Sequence, residues 1–146
     1  MINRALINNA KKFLNILASI EDGYYEVDKA GNLVFFNQSL QDMLGYSKEE
    51  LLGMNYKHYM TNEDSKKVFK TYNQVFRTGE AAKGFDWQLI SKSGRKLYVE
   101  TSVSPIFSAD GEITGFLGII RDISERKRAE QQIRESERRL ADIINF

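Results

Sequence analysis

Asn37-Gln38-Ser39-Leu40-Gln41-Asp42-Met43-Leu44-Gly45-Tyr46-Ser47-Lys48-Glu49-Glu50-Leu51-Leu52-Gly53 is punctuated every few residues by helix starts and stops. Asn37 can cap a short helix over residues 38–44, and Gly45 can end it in the left-handed conformation open to a residue without Cβ. Ser47 and Glu50 have the spacing of a capping box, each side chain satisfying the other's backbone N–H at the start of a second turn that ends near Gly53. Thr61-Asn62-Glu63-Asp64 reads as a further capping box. It opens a longer helix with an apolar stripe of Val68, Phe69, Tyr72, Val75 and Phe76 and a stop at Gly79.

β-rich runs flank this helical block. Tyr24-Tyr25-Glu26-Val27 and Leu33-Val34-Phe35-Phe36 are separated by Asp28-Lys29-Ala30-Gly31-Asn32, which predicts a first hairpin. Lys92-Ser93-Gly94-Arg95 separates residues 85–90 from residues 97–103, and Ser108-Ala109-Asp110-Gly111-Glu112 leads into residues 113–120. In the fourth run Leu97, Val99, Thr101 and Val103 should face a core while Tyr98, Glu100 and Ser102 face away. Pro105, which has no N–H to donate, belongs at an edge, a bulge or a strand end. The order predicts an α+β fold, a five-stranded antiparallel sheet with its helices across one face, forming a cup.

Two helical arms flank this unit, dividing the chain into residues 1–20, 21–124 and 125–146. In the first arm Leu6, Ala10, Phe13, Leu14, Leu17 and Ile20 form an amphipathic stripe for the domain itself or for a partner subunit. In the last, Ala129, Ile133, Ser136, Leu140 and Ile143 alternate by four and three, a coiled-coil seam of fewer than three heptads. Phe13, Leu14, Leu17, Ala129, Ile133 and Leu140 are therefore the candidate dimer contacts, and a homodimer is expected.

The chain has 146 residues, with 21 Lys and Arg against 20 Asp and Glu, so no net field draws it to nucleic acid. It has no cysteine, which removes disulfides and thiolate chemistry and fits a reducing cytoplasm. No apolar run approaches the roughly 18 residues of a membrane span, so no membrane contact by this segment is expected. There is no Ser-His-Asp spacing, HExxH or phosphate-binding Gly-rich loop, and Glu49-Glu50 and Glu63-Asp64 sit where helix N-termini favour acids. No catalytic and no metal-ligating residues are assigned.

The residues from Asn37 to Gly53, with their Leu-Gly-Tyr-Ser turn and Glu-Leu-x-Gly ending, resemble the PAS (sensory box) family. So do Lys92-Ser93-Gly94 before a strand ending in Ser104-Pro105-Ile106, and Arg121-Asp122-Ile123-Ser124-Glu125, similar to the Asp-Ile-Thr junction between a PAS core and its output helix, with Ser for Thr. The resemblance covers about residues 20 to 127. It implies a cytoplasmic regulatory module of a multi-domain bacterial or archaeal sensor kinase, of the two-component kind, or of a nucleotide cyclase. Residues 134–146 are similar to the helix that opens a further PAS module, so a downstream PAS or output domain is an implied partner. An assembly module without a ligand is the alternative.

The family uses its cup for haem, flavin, small organic molecules or nothing. His58 is the only histidine, and it precedes the longer helix on which haem-binding relatives carry their ligand, which argues against haem. Tyr56 stands where flavin photoreceptors place a reactive cysteine, which excludes covalent photochemistry and leaves only non-covalent flavin, with Trp87 as a stacking partner. Tyr56, Met60, Phe69, Tyr72, Phe85, Trp87, Thr101 and Phe116 are the candidate lining for a small organic ligand; the same residues describe a filled core. The signal-relay junction is assigned to Arg121, Asp122, Ile123 and Ser124, with Asp122 either setting the exit angle of the last helix or capping it.

Overall fold

The computed structural model describes residues 4–144, without the side chains of residues 17–19. Its elements are α1 (Arg4–Ser19), β1 (Gly23–Asp28), β2 (Leu33–Phe36), α2 (Gln38–Leu44), α3 (Lys48–Leu51), a 3₁₀ turn (Tyr56–His58), α4 (Asn62–Thr78), β3 (Ala82–Ile90), β4 (Lys96–Phe107), β5 (Ile113–Asp122) and α5 (Ser124–Ile144). The outermost ends of the two predicted arms, residues 1–3 and 145–146, lie outside the described residues.

The five strands form one antiparallel sheet in the order β2-β1-β5-β4-β3. The last strand runs through the middle, between β1 and β4. Because β3 begins opposite Val103, β4 beyond that point has a neighbour only on its β5 side. Pro105 therefore lies on a local edge, where its missing N–H breaks no ladder. Both outer strands are partly covered: Gly53 N–H donates to Leu33 O, Leu33 N–H donates to Met54 O, and Ile90 N–H donates to Tyr59 O. This backbone pairing shields the open edges from other strands.

The helix starts follow the local chemistry of the sequence. Asn37 Oδ1 accepts from Leu40 N–H, Ser47 and Glu50 form the reciprocal box, and Gly45 and Gly79 adopt positive φ of 75° and 68°. Thr61 caps α4 by accepting from Asp64 N–H, but the second half of its box is absent. The Asp64 carboxylate instead accepts from Gln88 N–H of β3 at 2.9 Å, tying the start of α4 to the sheet edge.

The core lies between the inner face of the sheet and α2, α3, the 3₁₀ turn and α4. Leu97, Val99, Thr101 and Val103 are all buried on that inner face. On α4 the inward stripe is Val68, Thr71, Tyr72 and Val75, whereas Phe69 and Phe76 are 57% and 48% exposed, contrary to the stripe read from the sequence. On the outer face, Phe13 of α1 meets Tyr24 edge-on at 6.2 Å, and Tyr24 meets Phe35 at 6.0 Å. The rest of the described α1 surface is exposed.

Candidate functional site

The candidate residues fall in two places, the interior of the cup and the passage from β5 into α5. Of the eight predicted lining residues, Tyr56, Met60, Tyr72, Trp87 and Thr101 border a common cavity, together with Tyr25, Leu40, Tyr59 and Leu89. Phe116 and Phe85 are one ring removed, Phe116 stacked on Tyr72 at 4.7 Å and Phe85 on Trp87 at 5.3 Å. Phe69 is a correction: it points out of the cup, because the helical position about 100° round from Val68 and about 60° from Tyr72, on the side away from Val75, faces solvent. His58 is exposed on the 3₁₀ turn. Among the described residues no group of His, Cys, Asp or Glu is arranged to hold a metal ion.

The cavity has a volume of about 20 Å³, room for about one water. Thr101 Oγ1 is buried beside it with no hydrogen-bond partner. The Tyr25 hydroxyl crosses β5 to donate to Ser102 O of β4 at 2.8 Å. Sequence reading missed Tyr25 and Tyr59; the period-two pattern of the first strand was the available signal for Tyr25, since Val27, two positions on, shares its buried face.

Burial pushes the Tyr25, Tyr59 and Tyr72 hydroxyls well above the ordinary tyrosine range, and burial aided by the nearby Glu26 carboxylate raises Tyr24 to about 12. Unfolded tyrosines ionise near pH 10, so above that pH the unfolded chain binds fewer protons than the folded one, and stability must fall as pH rises. The denaturation midpoint should therefore decline steadily above about pH 10, with tyrosinate absorbance of Tyr25, Tyr59 and Tyr72 appearing only on unfolding. Free ionisation of all seven tyrosines in the folded chain would contradict this packing.

At the junction, β5 enters α5 without an intervening loop. Ile123 N–H donates to Tyr98 O at 2.8 Å, and Ser124 Oγ accepts from Tyr98 N–H at 3.1 Å, so both backbone groups of one β4 residue are held by the junction. Asp122 Oδ1 accepts from Ser124 N–H at 2.9 Å, satisfying a first-turn donor of α5. Ile123 is buried. Arg121 pairs with Asp22 at 3.2 Å, Arg126 with Glu100 at 3.4 Å and Lys127 with Asp86 at 3.4 Å, linking this passage to the segment before β1, to β4 and to β3. Each exposed pair is worth little alone; together they fix a direction. Beyond Lys127, α5 is exposed throughout its described length, including Ala129, Ile133 and Leu140.

This chain, with its five-stranded sheet and helices across one face, is matched by a family model described as the PAS fold, over residues 11–123. The chain belongs to the PAS family. This PAS domain is similar to sporulation kinase C of Bacillus subtilis, at 27% identity over 126 residues covering 86% of this chain and 29% of that protein. It is also similar to the methyl sulfide methyltransferase-associated sensor of Methanosarcina acetivorans, at 30% identity over 143 residues covering 97% of this chain and 14% of that protein. The chain thus spans less than a third of the length of these relatives. The crystal structure of a PAS domain from Colwellia psychrerythraea matches with a TM-score of 0.73 at 21% identity, covering 80% of this chain and 98% of that one, a likeness of fold. No helix among the described residues of the PAS domain is long and apolar enough to cross a membrane.

Proposed function

We propose that the domain is a cytoplasmic, homodimeric regulatory module of a larger signalling protein, a sensor histidine kinase or nucleotide cyclase, and that it relays a signal through Asp122, Ile123 and Ser124 to a downstream output domain. The observation that carries this reading is the double hold of the junction on Tyr98. A shift of β4 against β5 must either move the root of α5 or break those bonds. Catalysis belongs to other parts of such a protein. Phe13 and Leu14 on α1 and Ala129, Ile133 and Leu140 on α5 supply exposed dimer contacts; the Leu17 side chain lies outside the described residues. A bias of a few kcal/mol between two arrangements of the paired helices is enough for a large population shift.

The stimulus has two routes in. A small organic ligand would have to displace Tyr56, Met60 or Tyr72 from the filled cup, whereas contact at α1 needs no opening. Haem and flavin, far larger than the cavity, would need a wholesale rearrangement. The filled cup also favours a second reading, in which the domain holds no ligand and only assembles its parent protein.

The experiment is Asp122→Ala and Ser124→Ala in the signalling protein that contains this chain. Loss of the cap costs about 1 kcal/mol of stability, and Ser124→Ala also leaves the Tyr98 N–H without its partner. Basal output should shift several-fold and the response to stimulus should shrink, with the PAS core still folded by circular dichroism. Unchanged basal output and unchanged response in both variants would overturn the relay and leave the assembly reading, for which light scattering should report a dimer dependent on Phe13 and Leu140.

A further inference from the structure

The outer side of α4 carries a second feature, remote from the junction. Phe69 and Phe76, two turns apart, stand about 10 Å from each other along the helix and are both about half exposed. On either side of Phe69 the surface is concave. One groove, of about 690 Å³, runs between α4 and the 3₁₀ turn past Tyr56, Lys57, Ser65, Lys66 and Lys70. The other, of about 270 Å³, runs past Lys29, Lys57, Phe76 and the edge of Phe116.

No acidic side chain lines either groove, and among the described residues Lys29, Lys57, Lys66 and Lys70 make no ion pair. Lys67, next to Lys66 in the same helix, instead faces both Glu63 and Asp64 within 4.0 Å. Among the described residues, Lys67 on α4 is thus ion-paired while Lys66 and Lys70 beside the groove are not. Ser65 Oγ, in the wall of the larger groove, is buried without a hydrogen-bond partner.

We infer that this face of α4 is a docking site for an acidic amphipathic helix of another protein, its apolar stripe against Phe69 and Phe76 and its carboxylates against Lys57, Lys66 and Lys70. A ridge with two aromatic anchors two turns apart and a hollow on each side matches the i, i+3, i+7 knobs of a helix, and is too long for a small molecule to span. The chain's own exposed apolar helices lack the complementary charge. Residues 1–20 carry three positive charges and no negative one, and residues 125–146 carry six positive against five negative. A lipid surface is flat, and would leave the hollows unfilled. Lysines around an aromatic centre steer and orient an acidic partner, while the rings, covered on binding, hold it.

The inference stands independently of the junction, and its test reads binding alone. The probe is a 20-residue helical peptide with leucines at i, i+3 and i+7 and glutamates elsewhere, titrated into the isotope-labelled chain and followed by amide chemical shifts. Shifts should cluster at Lys57, Lys66, Phe69, Lys70 and Phe76, and affinity should fall as salt rises. The double variant Lys66→Glu/Lys70→Glu and the single variant Phe69→Ser should each weaken binding about tenfold. All three positions are exposed, so the melting temperature should stay within about 2 °C, which separates lost docking from lost folding. The proposal is overturned if the shifts map to α1 or α5, or if a scrambled peptide without an apolar stripe binds equally well. It is overturned likewise if vesicles of phosphatidylserine and phosphatidylcholine bind through these residues while the peptide does not, or if the same residues respond to protein concentration alone.

Discussion

Gly118→Ala should destabilise the domain by about 3 kcal/mol, a drop of roughly 10 °C in melting temperature for a domain of this size. Gly118 lies in the middle of β5, opposite Tyr25 of β1. An added Cβ would run into the Ser102 carbonyl oxygen of β4 and come within 2.9 Å of Tyr25 Cε1. Neither neighbour can yield cheaply. Ser102 O belongs to a strand paired on both sides and accepts the Tyr25 hydroxyl, and the Tyr25 ring lies across the very gap that the missing side chain leaves. Gly94→Ala is the control: its φ of 87° strains an alanine, but no atom lies within 4 Å of the new Cβ, so the loss should stay near 1 kcal/mol. Equilibrium denaturation in urea measures both. A Gly118→Ala protein within about 0.5 kcal/mol of wild type, inside the range of ordinary surface changes, would mean that Tyr25 and β4 move apart freely.

The second large effect is expected at Asn37. Its side chain is 7% exposed and serves three backbone groups: Oδ1 accepts from Tyr24 N–H at 2.9 Å and from Leu40 N–H at 3.1 Å, and Nδ2 donates to Asp22 O at 3.0 Å. Asn37→Leu keeps the volume and removes every one of these partners. Stranding a buried polar group costs about 1–3 kcal/mol, and part of the Asp22 carbonyl can turn to solvent, so a total loss of about 3–4 kcal/mol follows. Asn37→Asp retains the acceptor for both N–H groups and should lose about half as much. Amide exchange supplies the local readout: in Asn37→Leu, Tyr24 and Leu40 should lose protection ahead of the β4 amides. A uniform loss across the sheet would argue that Asn37 does no more than fill space. Asp22 also pairs with Arg121, so loosening this corner reaches the junction through a single residue.

The helix boundaries were legible because capping acts within three or four residues. Asn37 reaches Leu40, Ser47 reaches Glu50 and Thr61 reaches Asp64 whatever the remainder of the chain does. The hairpins were legible for the same reason, through glycines that take positive φ in tight turns. Period two placed Leu97, Val99, Thr101 and Val103 on the buried face, since alternation along a strand is independent of its neighbours. The junction was readable as a continuous run from β5 into a helix; that Tyr98 is its anchor was not, because Tyr98 lies 25 residues before Ile123.

The errors fall where a side chain had to choose between near and distant partners. Asp64 was expected to complete a local box and instead holds Gln88 N–H, a donor that becomes available only once β3 lies alongside α4. Phe69 and Phe76 were expected inward because they adjoin the apolar stripe. A helix facing a sheet can bury only part of its circumference, and Val68, Thr71, Tyr72 and Val75 occupy that arc. The consequence is two exposed rings on the outer surface of α4, the face proposed above for docking.

The sequence by itself thus determined the segments, their caps and turns, the inner face of β4 and the covalent route from β5 into α5, all of which depend on neighbours a few residues away. Only the tertiary structure decided the order β2-β1-β5-β4-β3, the near-complete filling of the cup by rings from five separate elements and the outward turn of Phe69. These depend on which distant surfaces meet and on how much volume remains between them. A pattern of residue types along the chain states neither.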